Sequence, residues 1–251
     1  MAKPKLILTD LDGTLLMPDM SISPQNQLAI RNLHDAGITI AAVTGRGFGE
    51  VASILQGVGI TGYGVFDGGA VVVDCQTGKE LWSRRIPAAE AVAVIEKLLP
   101  IAHLFAYGQG DMSAEEARRN LPTTDLLSIW ASVEKGQVEA ATAELMALPN
   151  LNAHSGPTLY SPHHDGISIT HKDADKYHGV QALLKLEHVP KESIVAIGDG
   201  NNDVPLFLNA GITFAMGNAN DRLHALADFS VADVARDGWA EMVNDHILGS
   251  A

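Results

Sequence analysis

The chain has 251 residues, 46% of them hydrophobic and 19% charged, which excludes general disorder and suits one large or two modest domains. Against 30 Asp and Glu stand 17 Lys and Arg, a formal charge of −13. With no basic run, that balance argues against a nucleic-acid or membrane partner.

Cys75 is the only cysteine, so no intrachain disulfide can form and nothing points to an oxidising compartment. The N-terminus leads into a strand rather than into a signal-peptide apolar region. The apolar-rich stretch from Ala88 to Tyr107 is broken by Glu90, Glu96, Lys97 and Pro100, so it reads as a helix and a strand, not a membrane span. The expectation is a cytoplasmic protein.

In chain order, Lys5 to Thr9 reads as a strand, and Ser23-Pro24 opens a helix through His34 that stops at Gly37. Ile38 to Val43 is a second apolar strand, Phe48 to Gln56 a helix, and Tyr63 to Phe66 a third strand. This βαβαβ pattern predicts a parallel sheet flanked by helices. A hairpin follows over Ala70 to Asp74 and Lys79 to Trp82. Next come a helix (Ala88 to Leu99), a strand (Ile101 to Ala106), a polar stretch (Gly108 to Thr124), a strand (Leu126 to Val133) and a helix (Gln137 to Leu148), then several short strands up to Thr170. The α/β alternation resumes with a helix from Asp175 to His188, a strand from Ser193 to Ile197 and a helix from Asn202 to Asn209. It continues with a strand from Ile212 to Ala215, a helix from Asn220 to Ala227, a short strand near Phe229 and a last helix from Trp239 to Ile247. The predicted fold class is α/β: a Rossmann-like parallel-sheet core over 1–85 and 171–251, with an inserted α+β domain over 86–170.

The first strand ends in Asp10 and Asp12, followed by Gly13 and Thr14. An EF-hand calcium loop would need Gly and Glu where Leu15 and Ser21 stand, and a helix where the strand is, so that reading fails. A surface turn and a catalytic strand end remain. A second apolar strand ends in "AIGDGNND", with Asp199 and Asp203. Parallel strands bring their carboxyl ends to one edge, so the four carboxylates would converge. Without a cation such a cluster is strongly unfavourable, and an all-oxygen donor set suits Mg²⁺.

Asp10-Leu-Asp12-Gly-Thr14, Thr44-Gly45-Arg46, Lys176 and Gly198-Asp199-Gly-Asn-Asn202-Asp203 resemble the four ordered motifs of the haloacid dehalogenase-like phosphohydrolases. The resemblance is strongest to their Cof-type branch and covers nearly the whole chain, including the tail "FAMGNANDRLHALADFSVADVARDGW". Only 34 residues separate Asp10 from Thr44, but 132 separate Thr44 from Lys176, so the insertion resembles the family's cap between motifs two and three. Two positions depart from the branch pattern: Tyr177 follows the lysine where glycine is usual, and Gly68 stands where an asparagine is common.

The resemblance implies a Mg²⁺-dependent phosphatase acting on small phosphomonoesters, with sugar phosphates as the substrate class. Asp10 would be the nucleophile, forming an aspartyl-phosphate, and Asp12 the general acid and base. Asp10, the Asp12 backbone carbonyl and Asp199 would hold Mg²⁺, with Asp203 supporting the metal shell or orienting Lys176. Thr44, Gly45, Lys176 and Asn202 would bind phosphate. Lys176 falls in the first turn of a predicted helix, where the dipole disfavours a cation unless an anion or the aspartates offset it; Lys172 competes for the role. Arg46 could contact substrate or form a structural ion pair.

Two other patterns point elsewhere and are set aside. "GVGITG", with Gly57, Gly59 and Gly62, follows a helix and precedes a strand, the reverse of a dinucleotide site. His154, His163, His164 and His171 have no His-x-x-x-His helix and no cysteine partner, so they read as solvated or cap-facing histidines. A phosphomutase of the same superfamily and a non-catalytic phosphometabolite-binding protein are the alternative functions. Retention of both Asp10 and Asp12 speaks against the binder, since binding alone needs no acid/base residue.

Overall fold

The computed structural model describes residues 3–107, 110–157 and 161–249. Strand β1 (Leu6–Thr9) is buried along its whole length, as a central strand covered on both faces requires. Helix α1 (Pro24–Asp35) starts where the Ser23 hydroxyl accepts the Asn26 amide and Pro24 pre-sets the first turn. There follow β2 (Thr39–Ala42), α2 (Phe48–Gly57), β3 (Tyr63–Phe66), β4 (Val71–Asp74) and β5 (Lys79–Ser83). The middle of the chain carries α3 (Ala88–Leu98), β6 (Ala102–Ala106), β7 (Asp111–Ser113), α4 (Ala114–Arg119), β8 (Ser128–Glu134), α5 (Lys135–Met146), β9 (Leu151–Pro157) and β10 (His164–His171). The last third adds α6 (Lys176–Glu187), β11 (Ile194–Gly198), α7 (Val204–Leu208), β12 (Ile212–Ala215), α8 (Asp221–Leu226), β13 (Phe229–Ser230) and α9 (Gly238–Glu241), the last continuing as a π-helical turn over Met242–Leu248.

The chain divides into two compact units, Met1–Trp82 with Lys176–Ala251, and Ser83–Asp175. In the first, five parallel strands run in the order β13-β12-β11-β1-β2. Leu6, Leu8, Ala41, Val180, Leu183 and Ala196 are buried in one cluster at its centre. The mixed α/β class with a parallel core matches the reading of the sequence, but β3 differs from it. It pairs antiparallel with β4 in a three-stranded sheet, order β3-β4-β5, and among the described residues a single bridge, Val43–Val65, links it to the parallel sheet. The chain rises from β3 into a tight turn at Asp67–Gly69, where Gly68 takes a positive φ of 67°, and folds straight back as β4.

The second unit is one antiparallel sheet, order β7-β6-β8-β10-β9, with a core that includes Val94, Ile95, Leu98, Phe105, Ile129, Leu145, Ile167 and Ile169. The expected short strands before Thr170 are two long ones, β9 and β10. β10 buries Ile167 and Ile169 while Ser168 faces out, an alternation masked in sequence by its flanking histidines and Gly166. The glycine is required there: a Cβ would lie 2.5 Å from the Trp130 indole nitrogen. The polar stretch after Gly108 contains β7 and α4. Its start is a capping box in which the Ser113 hydroxyl accepts the Glu116 amide at 3.2 Å and Glu116 accepts the Ser113 amide at 2.8 Å. No helix among the described residues is long and apolar enough to cross a membrane.

Candidate active site

Asp10 follows β1 directly, and its amide donates to the Ile197 carbonyl at 3.1 Å, so the chain stays in register with β11 for one more residue. Asp199 follows β11, and Thr44 lies two residues past β2. From β1 the chain crosses to β2 on one side, and from β11 to β12 on the other. The loops above this pair therefore diverge, as they do at the ligand crevices of open α/β sheets. Gly13 makes the approach possible: its φ is +73°, and a Cβ there would lie 2.4 Å from Asp199 Oδ2.

Lys176 is the first residue of α6 and only 4% exposed. Its ammonium donates to Asp10 Oδ1 at 2.8 Å and to Asp203 Oδ1 at 2.7 Å, which supplies the anionic partners that its place at a helix N-terminus demands. Lys172 is exposed in the other unit and is not this residue. The helix comes close enough because of Gly179, where a Cβ would sit 2.4 Å from Val65 and 2.9 Å from the Gly69 carbonyl. The second carboxylate oxygen of Asp203 accepts the amides of Asp199 at 3.0 Å and Gly200 at 2.8 Å. Both Asp203 oxygens are thus engaged in shaping the loop and orienting Lys176.

Burial and the neighbouring Asp203 carboxylate push the Asp10 carboxyl up, to about 8. Burial, again with Asp203, raises Asp199 to about 6. Burial alone would lower the Lys176 ammonium, but Asp10 and Asp203 outweigh it and hold the group above lysine's ordinary value. One lysine therefore leaves uncompensated negative charge among Asp10, Asp199 and Asp203, each of which offers one oxygen within 4.8 Å of the other two. Asp10 Oδ2 and Asp199 Oδ1 accept no hydrogen bond among the described residues, and neither does the Asp12 carbonyl. Unengaged oxygen donors with excess negative charge fit a hard divalent cation.

The Asp12 side chain is half-exposed and turned to Arg46, whose Nε lies 2.8 Å from Oδ2 and whose Nη2 lies 2.6 Å from Oδ1. Arg46 also approaches Glu50 at 3.5 Å, so of its two expected roles it forms the ion pair here. Thr44 is fully buried and its hydroxyl accepts the Arg46 amide at 3.1 Å. Gly45 and Asn202 are exposed, Asn202 on the 3₁₀ turn that leads into α7.

Three residues of the neighbourhood were given no role from the sequence. Asn218 donates to Asp199 Oδ2 and to the Gly13 carbonyl, both at 2.9 Å, and accepts the Val234 amide at 3.1 Å. Its signal was a polar residue just past the end of a third parallel strand, β12. The Thr9 hydroxyl donates to the Asp10 carbonyl at 2.7 Å and accepts the indole N–H of fully buried Trp239 at 3.1 Å. The Thr14 hydroxyl is buried without a hydrogen-bond partner among the described residues.

The model of the haloacid dehalogenase-like hydrolase family matches residues 7–125 and 107–243. The chain is 24% identical to the phosphatase YwpJ of Bacillus subtilis over 286 residues, spanning 97% of this chain and 100% of that one. It is 27% identical to phosphoglycolate phosphatase 1 of Saccharolobus solfataricus, over 98% of this chain and 96% of the relative. Among solved structures, a haloacid dehalogenase-like hydrolase from Bacteroides thetaiotaomicron superposes with a TM-score of 0.82 at 20% identity, covering 97% of this chain and 99% of that one.

Proposed function

The chain belongs to the haloacid dehalogenase-like hydrolases as a phosphoric monoester hydrolase, and we propose that it is a Mg²⁺-dependent phosphatase of small phosphomonoesters, sugar phosphates foremost, working through phosphorylated Asp10. The observation that carries the reading is the buried contact of Lys176 with Asp10 beside Asp199 and Asp203 at one sheet edge. A carboxylate so placed has an ammonium ready for the phosphoryl oxygens and a cation site ready for the charge.

An Asp10 carboxylate oxygen attacks phosphorus in line; the phosphorus–alkoxide bond breaks, and the leaving oxygen takes a proton from Asp12. Asp12, now ionised, accepts a proton from the water that attacks the phosphorus of the acyl phosphate, releasing inorganic phosphate and free Asp10. Thr44, Lys176, Asn202 and the Gly45 amide donate to the phosphoryl oxygens, whose charge is spread in the transition state. Bound by Asp10, the Asp12 carbonyl and Asp199, with Asp203 behind them, Mg²⁺ would screen the attacking carboxylate from the phosphate. Arg46 holds the Asp12 carboxylate in one orientation between the two proton transfers. The inserted unit, Ser83–Asp175, supplies discrimination among leaving groups.

Phosphate release from a panel of sugar phosphates and other small esters, with Mg²⁺ and with chelator, tests this reading. Mg²⁺-dependent release from at least one sugar phosphate is expected. No release from any ester, with a hexose phosphate isomerised instead when a bisphosphate activator is added, would replace the phosphatase by a mutase.

A further inference from the structure

The geometry points to a second metal site, one for a nitrogen-preferring divalent ion of the Zn²⁺ class, built by His103, Glu134 and His164 on the sheet of the inserted unit. One ring nitrogen from each histidine and one carboxylate oxygen of Glu134 lie within 4.8 Å of one another.

The three residues come from three adjacent strands, β6, β8 and β10. His164 stands directly opposite Glu134 in the antiparallel register, where paired side chains are closest to one another. His103 joins them through an irregularity. The β6–β8 register pairs Ala102 with Val133 and then jumps to Leu104 with Ser132, leaving His103 as the extra residue of a bulge. Ala102 and Phe105 stay in the buried core while His103 and Leu104 both turn away from it. Bulges of this kind re-aim a side chain, and they gather beside functional sites. Here the bulge brings the His103 ring to 4.4 Å, centroid to centroid, from the His164 ring.

Two further features argue that the side chains are held for a ligand rather than for one another. The His164 Nε2 atom is buried and has no hydrogen-bond partner among the described residues, a state that native structures rarely leave unexplained. Glu134 is the N-cap residue of α5, yet its carboxylate makes no capping hydrogen bond with that helix, so no cap competes for its oxygens. Two imidazoles and one carboxylate suit zinc and its neighbours far better than Mg²⁺, which takes oxygen donors. Three protein ligands leave a fourth tetrahedral position to water. An ion there would tie β6, β8 and β10 together, and it draws on none of the aspartates of the core unit.

The test is Zn²⁺ titration of the full chain, with Mg²⁺ in saturating excess to occupy the aspartate cluster, read against a chromophoric chelator. One zinc equivalent is expected, its affinity falling at least about tenfold in His103→Gln and in His164→Gln and unchanged in Asp199→Asn. Circular dichroism of each variant ensures that a loss is not one of fold. Under the same Mg²⁺ excess, Co²⁺ added to the wild-type chain should perturb the ring resonances of His103 and His164 before those of His34 and His224. Zinc uptake that survives both histidine substitutions, or that vanishes in Asp199→Asn, would overturn the assignment, as would cobalt perturbing the four rings together.

Discussion

A buried ammonium between Asp10 and Asp203 offsets one negative charge where two are in contact with it and a third, Asp199, is near. That arrangement favours chemistry over stability, because an ionised Asp10 is held where burial and Asp203 both oppose its charge. Asp10→Asn should therefore move two properties in opposite directions. Turnover should fall at least about 10³-fold, or about 4 kcal/mol of barrier, since an amide is no nucleophile for phosphorus. Metal-free stability at pH 8 should rise by about 1 kcal/mol or more, since the strained charge is gone while Lys176 keeps Asp203. Urea unfolding of both proteins in chelator checks the second effect, and an Asn variant less stable than wild type would contradict it.

At the scale of elements, the site depends on how closely α6 approaches the turn after β3. Gly179 packs against Val65 and the Gly69 backbone with no room for a methyl group. Gly179→Ala should cost about 1–3 kcal/mol by overpacking and, by shifting the helix that carries Lys176, lower kcat; an unfolding curve and a rate profile with the wild-type midpoint and kcat would refute the linkage. The elements that carry Asp10 and Asp199 were readable from sequence because each is a short apolar run ending in carboxylates, and parallel pairing converts that pattern into proximity. The role of Asn218 was not readable, since a polar residue past a strand end does not show which way its amide turns, and only the fold brings it to Asp199. The Arg46–Asp12 pair was half readable: the sequence offered the residue types, and only the fold shows which way the guanidinium turns. β9 and β10 were underestimated because histidine and glycine interrupt a two-residue alternation that pairing of β10 with β8, and of β9 with β10, completes.

For the whole molecule, the raised carboxyls link stability to pH and to metal. Asp10 at about 8 and Asp199 at about 6, against 3.8 for the free side chain, bind more protons folded than unfolded. Their contribution is thus full below about pH 4 and is lost as pH climbs toward 8. The exposed carboxyls that hydrogen bonds lower, Asp19, Glu116 and Asp233, act in the opposite sense but only in the acid range. In chelator, the melting temperature should fall from pH 5 to pH 8. Excess Mg²⁺, which needs ionised ligands, should restore it at pH 8 and change it little at pH 5. A metal-free melting temperature that rises across this window would contradict the charge balance described for the site.

In the proposed reaction the phosphoryl group passes through Asp10, and it can be trapped there. Enzyme quenched in acid during turnover of a sugar phosphate found active, then reduced with borohydride, converts an acyl phosphate to the alcohol. Peptide mass spectrometry should find homoserine at position 10 only when substrate and Mg²⁺ are both present. Full turnover with Asp10 unmodified, or with the reduced residue at another position, would contradict the account.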